Sequence, residues 1–403
     1  MTVLTVGRWA AFSAAEREVM EAVFWERDVS RSALAAQMGY SKSKLSAAVS
    51  GLMTLGVLEE RGVHASTGGR RAEGLGLSAE LGVVAAVDLG ATSLSVALLT
   101  PTLDVLSSLS EDTDVRQGPG PVMARVKALL RKLLTLQGLQ EGAVLALGMG
   151  VPGPVEFHSG LLVNPPIMPG WEGFSIRDDL AGVVDAPVYV DNDVNIVALA
   201  EQWHARRTLQ NFFVIKVGTG IGCGIVCNGA VYRGVDGAAG DVGHILVDPL
   251  GPRCHCGNVG CVEAMAAGPA IARAATLAAQ AGESPLLAEW LHTQGRLDPP
   301  DVARAAREGD PVANAIIQKS GLLIGQMLAA LVNFFNPSQI VLTGGVTRMG
   351  PLWLASIRQS VYQRSLALST RHIEIRPSSL GEHGGLIGAG ALAMLSSIRA
   401  ESA

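Results

Sequence analysis

From Ala14 to Trp25 the apolar residues Val19, Met20, Val23 and Phe24 recur at helical spacing, which predicts an amphipathic helix. A second, short helix follows in SRSALAAQM, with Ser30 placed to cap its start and Gly39 to end it. Ser41 then caps a third, KSKLSAAVSGLMTL, which Gly56 closes. In this third helix Leu45, Val49, Leu52 and Met53 form the expected buried stripe, leaving Lys42, Ser43, Lys44, Ser46, Ala47 and Ser50 outward. Next come the strand-like VLEE, the turn-rich RGVHASTGGRR and the strand-like LGLS, a hairpin with Arg70 and Arg71 at its tip. Helix, tight turn, helix and hairpin predict a winged helix-turn-helix.

Beyond Leu81 the pattern changes. VVAAVDLGATSLSVALL reads as strand, polar glycine turn and strand, with Asp88, Gly90 and Thr92 in the turn. FFVIKVGTGIGCGIV repeats the arrangement downstream, with Thr219 and Gly220 in its turn. Two such hairpins predict a duplicated α/β fold with a cleft between lobes, whose backbone N–H groups could cradle phosphates. LTGGV supplies a third glycine turn, Gly344 and Gly345, after the buried strand QIVLT; it suits a nucleotide base or a plain strand-to-helix connection. Between the repeats, APVYVDNDVNIVALAE runs from strand to helix through Asp191, Asn192 and Asp193. A carboxylate at that strand end can serve as a general base, and Asp or Asn there can equally cap the helix.

Composition narrows the class. The 403 residues are 48% hydrophobic and 17% charged with a formal charge of −5, which fits a globular chain and neither a disordered nor a membrane one. The N-terminus lacks the basic start and apolar core of a signal peptide, and no uninterrupted apolar run approaches a membrane span, so a cytoplasmic protein without membrane contact is expected. Residues 1–80 hold 9 basic and 9 acidic side chains, so the net acidity lies in the remainder and the N-terminal part is free to meet an anion. The small, polar outward face of the third helix suits a major groove, with Lys42, Ser43, Lys44 and Ser46 toward the DNA, and Arg70 and Arg71 suit the adjacent minor groove.

Three of the five cysteines fall in HILVDPLGPRCHCGNVGCVE, behind a histidine. His244, Cys254, Cys256 and Cys261 make a Cys3His set, the ligand set of a closed tetrahedral zinc site, and Pro252, Gly257 and Gly260 let the loop wrap the ion. Four protein ligands leave no open position, which makes the metal structural. Cys223 and Cys227 read as core or turn residues of the second hairpin. An imidazole bound through one nitrogen has its other N–H aimed at a partner, such as a sugar hydroxyl, with Asp241 and Glu263 nearby as carboxylate acceptors.

DLGAT, GVPGPV, DNDVN, VGTGIGCG, GAAGDVGH, CHCGNVGCVE and LTGGV, in this order, resemble the ROK family of sugar-responsive bacterial repressors and sugar kinases. The resemblance covers nearly the whole chain and implies a two-lobed, actin-like (ribonuclease H-like) ATPase fold behind the winged domain, with a sugar bound between the lobes. The expected division is a DNA-binding domain at 1–78, a small lobe at 82–195 with a C-terminal helix at about 385–400, and a large lobe at 196–384. It implies sugar contacts at Gly153, Asn164, Asn192, Asp193, Asp241, His244 and Glu263, zinc on the Cys3His set, and ATP phosphates at Asp88, Gly90, Thr92, Thr219 and Gly220. The implied protein is a homodimeric repressor on a palindromic operator, released by a sugar.

The alternative is an ATP-dependent sugar kinase with Asp193 as its base. Three departures weaken that reading: DLGATS replaces the kinases' D-x-G-G-T-K, so Ala91 and Ser93 stand in a phosphate loop; Asp241 replaces Glu; Pro154 and Pro166 sit in the sugar loop. The kinases also lack the winged domain.

Overall fold

The computed structural model describes residues 9, 11–63 and 73–399. The chain forms two compact units, one running up to Thr208 and resuming at Glu382, the other Leu209–Gly381.

The first unit opens with helices α1 (Ala14–Glu26), α2 (Arg31–Met38) and α3 (Lys42–Thr54). Each starts where a serine accepts a backbone N–H: Ser13 with Glu16 in a capping box, Ser30 from Ala33, and Ser41 from Lys44. Gly39 and Gly56 take positive φ, 64° and 70°, at the two exits. α1 buries Val19, Met20, Val23 and Phe24 as the spacing predicts, and Trp25 besides. α3 buries Leu45, Ala48, Val49 and Leu52. Ala48 thus lies inside, while Met53 stays half-buried and takes an N–H from Arg31 on its sulfur at 3.2 Å. Strands β1 (Val29–Ser30), β2 (Leu58–Val63) and β3 (Glu73–Leu77) form an antiparallel sheet in the order β1-β3-β2. The β2–β3 tip, with Arg70 and Arg71, lies outside the described residues.

A five-stranded sheet follows, built from β4 (Val83–Leu89), β5 (Ser93–Leu99), β6 (Val105–Asp112), β7 (Val144–Val151) and β10 (Val188–Asn192) in the order β10-β7-β4-β5-β6. The short β8 (Val155–Glu156) and β9 (Leu161–Leu162) pair separately. β4, β5 and β6 are antiparallel neighbours, whereas β4–β7 and β7–β10 are parallel. Helix α4 (Pro119–Leu136) covers the sheet with Val122, Val126, Leu130 and Leu133, and α5 (Ile176–Leu180) and α6 (Asp193–His204) complete the unit's middle.

The second unit repeats the topology. Strands β11 (Phe212–Val217), β12 (Ile221–Cys227), β13 (Ala230–Val231), β14 (Gln339–Thr343) and β15 (Glu374–Pro377) run in the order β13-β12-β11-β14-β15, with the same switch from antiparallel to parallel pairing at β11. Each glycine turn therefore joins the central strand of its sheet to the next. The unit's helices are α7 (Val262–Ala266), α8 (Gly268–Gln280), α9 (Pro285–Gln294), α10 (Pro299–Arg307), α11 (Pro311–Phe335), α12 (Pro351–Arg364) and α13 (Ala367–Thr370). By length and composition α11 could cross a membrane, but half of its most apolar stretch is buried. Ile317, Ile324, Leu328 and Val332 join the unit's core, as in a core helix.

The chain then returns to the first unit as α14 (Gly384–Arg399). The border between units falls after Thr208 and not at 195, because α6 is buried from Val194 to Trp203 within the first unit. The N-terminal helices cluster into that unit as well.

Candidate functional site

In the second unit His244, Cys254, Cys256 and Cys261 each bring a ligand atom within 4.8 Å of the others. His244 ends the 3-10 turn Val242–His244, and Cys261 is the N-cap of α7. Between them the loop is braced by its backbone: Cys254 N–H donates to Asn258, Gly257 to Cys254 and Gly260 to Pro252. Gly260 has φ 72°, and a Cβ there would stand 1.6 Å from the Asp248 carbonyl oxygen, so the wrap demands glycine. Cys256 and Cys261 sulfurs lie 3.7 Å apart, and Cys254 sulfur is 3.5 Å from His244 Nδ1. Two thiolates on one tetrahedral ion with metal–sulfur bonds of about 2.3 Å lie about 3.8 Å apart, so these residues fit a four-coordinate metal. Burial pushes the Cys254 thiol up and the Cys261 thiol to about 12, while the Asn258 N–H lowers Cys256. A cation that replaces the protons removes that cost.

With Nδ1 turned to the cysteines, His244 presents Nε2 toward Asp241, 3.9 Å from Oδ1. Asp241 is exposed. Glu263, on the first turn of α7, accepts the Ile221 N–H on Oε2 at 3.0 Å, and a Cβ on Gly220 would stand 2.8 Å from that oxygen. The Glu263 carboxylate thus ties the Cys3His loop to the second glycine turn. Gly268, at the start of α8, donates to Gly218 O at 2.9 Å. Gly344, with φ 92°, lies so close that a Cβ would meet Val217 O at 2.3 Å. The structure therefore gathers Thr219, Gly220, Glu263 and Gly344 around one turn, with Thr219 and Gly345 exposed.

In the first unit Asn192 is the N-cap of α6: its Oδ1 accepts the Val194 N–H at 2.9 Å and its Nδ2 donates to Gly153 O at 2.8 Å. Asp193 is the first residue of the helix and not its cap. Asp191, 2% exposed, accepts from Asn192 N and Asn195 Nδ2. Gly153 packs beside Pro165, and a Cβ there would lie 3.1 Å from that ring. Asn164, with φ 44°, donates its N–H to Glu172. Asn195 lies at i+4 from Asp191, a legible signal; Glu172 left none. Gly90 N–H closes the first turn on Ser93 O at 2.8 Å, with Thr92 exposed. The Asp88 carboxylate lies against the start of α14, where a Cβ on Gly385 would stand 1.9 Å from Oδ2.

Lys42, Ser43, Lys44 and Ser46 are all exposed on α3. Lys44 Nζ stands 3.5 Å over the Tyr40 ring, whose hydroxyl donates to Glu18 on α1. Ser43 Oγ lies 3.2 Å from the capping Ser41 Oγ.

A glucokinase of Halalkalibacterium halodurans is 34% identical over 75% of this chain and 92% of its own length. The transcriptional dual regulator NagC of Escherichia coli is 30% identical over 92% of this chain and 90% of its own, and a xylose repressor of Bacillus subtilis 25% identical over 93% of each. Among solved structures, a ROK family transcriptional regulator homologous to the E. coli MLC protein superposes with a TM-score of 0.80 at 26% identity, covering 96% of this chain and 98% of that one. The ROK family model matches residues 84–395, which span both sheets, both glycine turns and the Cys3His loop. The chain belongs to the ROK family.

Proposed function

We propose that this protein is a sugar-responsive transcriptional repressor, whose N-terminal winged helix-turn-helix holds an operator until a sugar engages the ROK domain. The observation that carries the reading is the helix–turn–helix and hairpin ahead of that domain. Both regulator relatives match over more than nine-tenths of this chain, whereas the glucokinase match covers three quarters. α3 would enter the major groove with Lys42, Ser43, Lys44 and Ser46, and the hairpin would bring Arg70 and Arg71 to the minor groove. Two copies on a palindromic operator suit such a reader.

The sugar contacts proposed are Gly153, Asn164, Asn192, Asp193, Asp241, His244 and Glu263. Zinc on His244, Cys254, Cys256 and Cys261 would hold the loop and fix His244 Nε2 toward Asp241; the ion's part is charge neutralisation and orientation. The test is fluorescence anisotropy on genomic fragments selected by the full chain, with D-xylose, N-acetylglucosamine and D-glucose added in turn. Saturable, salt-sensitive binding that one sugar abolishes supports the reading. A complex indifferent to every sugar removes the effector, and no selectable DNA removes the repressor.

The glucokinase relative and the exposed turn residues Thr92 and Thr219 favour a second reading, an ATP-dependent sugar kinase with Asp193 as base. ADP release with these sugars, above that of Asp193→Asn, would support it; equal rates would end it.

A further inference from the structure

Two helices of the first unit begin at candidate ligand residues and end beneath α1. α6 starts at Asn192 and Asp193 and finishes at Trp203 and His204. α14 starts against the Asp88 carboxylate and finishes at Ile398 and Arg399. They pack backbone to backbone, since a Cβ on Gly388 would stand 1.8 Å from Ile196 O. The two helices are thus in direct backbone contact.

At their far ends both grip α1. Arg27, the C-cap of α1, lays its guanidinium 3.5 Å over the Trp203 ring and donates to Trp203 O at 2.9 Å. Arg399 makes two bonds to Glu21, at 2.5 and 3.1 Å, and Arg17 donates to Ile398 O at 3.0 Å. α1 is in turn fixed to the turn before α3 by the Tyr40–Glu18 bond, with Lys44 over the Tyr40 ring.

The joint holds concentrated strain. Three of the seven described non-glycine residues with positive φ are here: Arg27 (65°), Arg206 (47°) and Arg207 (59°). Arg27 Nε and Trp203 Nε1 are buried without a hydrogen-bond partner among the described residues. Left-handed backbone and orphaned polar atoms each cost free energy in the docked arrangement, which the surrounding contacts must offset.

We infer that Arg27 and Trp203 are positioning residues that pass the state of Asn192, Asp193 and the Asp88 turn, through α6 and α14, to the helices that face DNA. The inference takes its direction from the repressor reading, but the mechanical link stands apart from it. The experiment uses the full chain and its Arg27→Gln and Arg27→Lys variants; lysine keeps the charge without the planar stack. Operator affinity is measured with and without the active sugar among D-xylose, N-acetylglucosamine and D-glucose. Wild type should lose at least about fivefold, the low end of ordinary coupling, and both variants under about twofold, with sugar affinity for the free protein retained. Variants that keep the wild-type fold-change overturn the inference.

Hydrogen exchange on the unliganded proteins decides the link even where no sugar acts and the repressor reading fails. Arg27→Gln should cost protection at residues 19–27 and also along residues 194–204. A loss confined to residues 19–27 overturns the inference.

Discussion

At Glu21 a carboxylate is partly buried between α1 and α14. Burial alone would raise its pKa, but the hydrogen bonds and charge of Arg399, with Trp25 and Arg207 adding to them, hold it below the usual carboxylate value. A folded pKa below the unfolded one contributes stability that is fully present above the unfolded value and is lost as pH falls through the folded one. Thermal melts of wild type and Glu21→Gln should therefore differ most near neutral pH, and the gap should close as pH falls below the ordinary Glu value of about 4.3 and through the lowered folded pKa. A gap that persists into acid would show that Glu21 acts by packing and not by charge. Gly260 offers a second test at this scale. Alanine there meets the Asp248 carbonyl and a left-handed backbone, so Gly260→Ala should cost roughly 1–3 kcal/mol in chemical denaturation and loosen the metal loop.

At the scale of the element, the Cys3His loop and α3 each support a direct measurement. Elemental analysis should find about one zinc per chain, because three thiolates and one imidazole make one closed site. Chelation should lower the melting temperature, and Cys256→Ser should do the same in the presence of metal. Since Glu263 joins that loop to the turn at Gly220, metal loss should also weaken any ligand held by the turn. Metal-free protein with unchanged melting and sugar response would refute the structural role. On α3, Lys42 carries no bond to a neighbouring side chain among those described, whereas Lys44 rests on Tyr40. Lys42→Ala should weaken operator binding evenly across sequences and reduce the salt slope by about 1, the mark of a phosphate contact. A change in sequence preference would instead assign it to a base edge.

For the whole molecule the prediction is reciprocal. If sugar weakens operator binding by some factor, operator must weaken sugar binding by the same factor. Calorimetry with the active sugar, with and without saturating operator, checks it; equal sugar affinities would exclude a sugar-controlled repressor of this kind. The two sheets share one topology, so each unit has its own glycine turn at its central strand, yet the candidate residues of the two units differ in setting. The first unit holds Asn192 and Asp193 at a helix start, and the second holds His244 and Asp241 at the Cys3His loop. Asp193→Asn and Asp241→Ala should each weaken sugar response while leaving sugar-free operator affinity near wild type.

Much of this was legible along the chain because its cause is local. Caps at Ser13, Ser30 and Ser41, exits at Gly39 and Gly56, and the metal set within one loop depend on residues a few positions apart, and spacing reports such contacts. The two hairpins were visible too, because strand–glycine–strand patterning repeats wherever the same turn must be made. Tertiary structure alone decided which groups meet, and through which atoms, where spacing along the chain does not report it. It turned His244 Nδ1 to the cysteines, spent one Glu263 oxygen on Ile221 and set Asp88 against Gly385. It also placed α6 in the first unit and laid Arg27 on Trp203. These contacts arise from close packing of elements whose own patterns name no partner, since an amphipathic stripe says only that a face is buried and not against what.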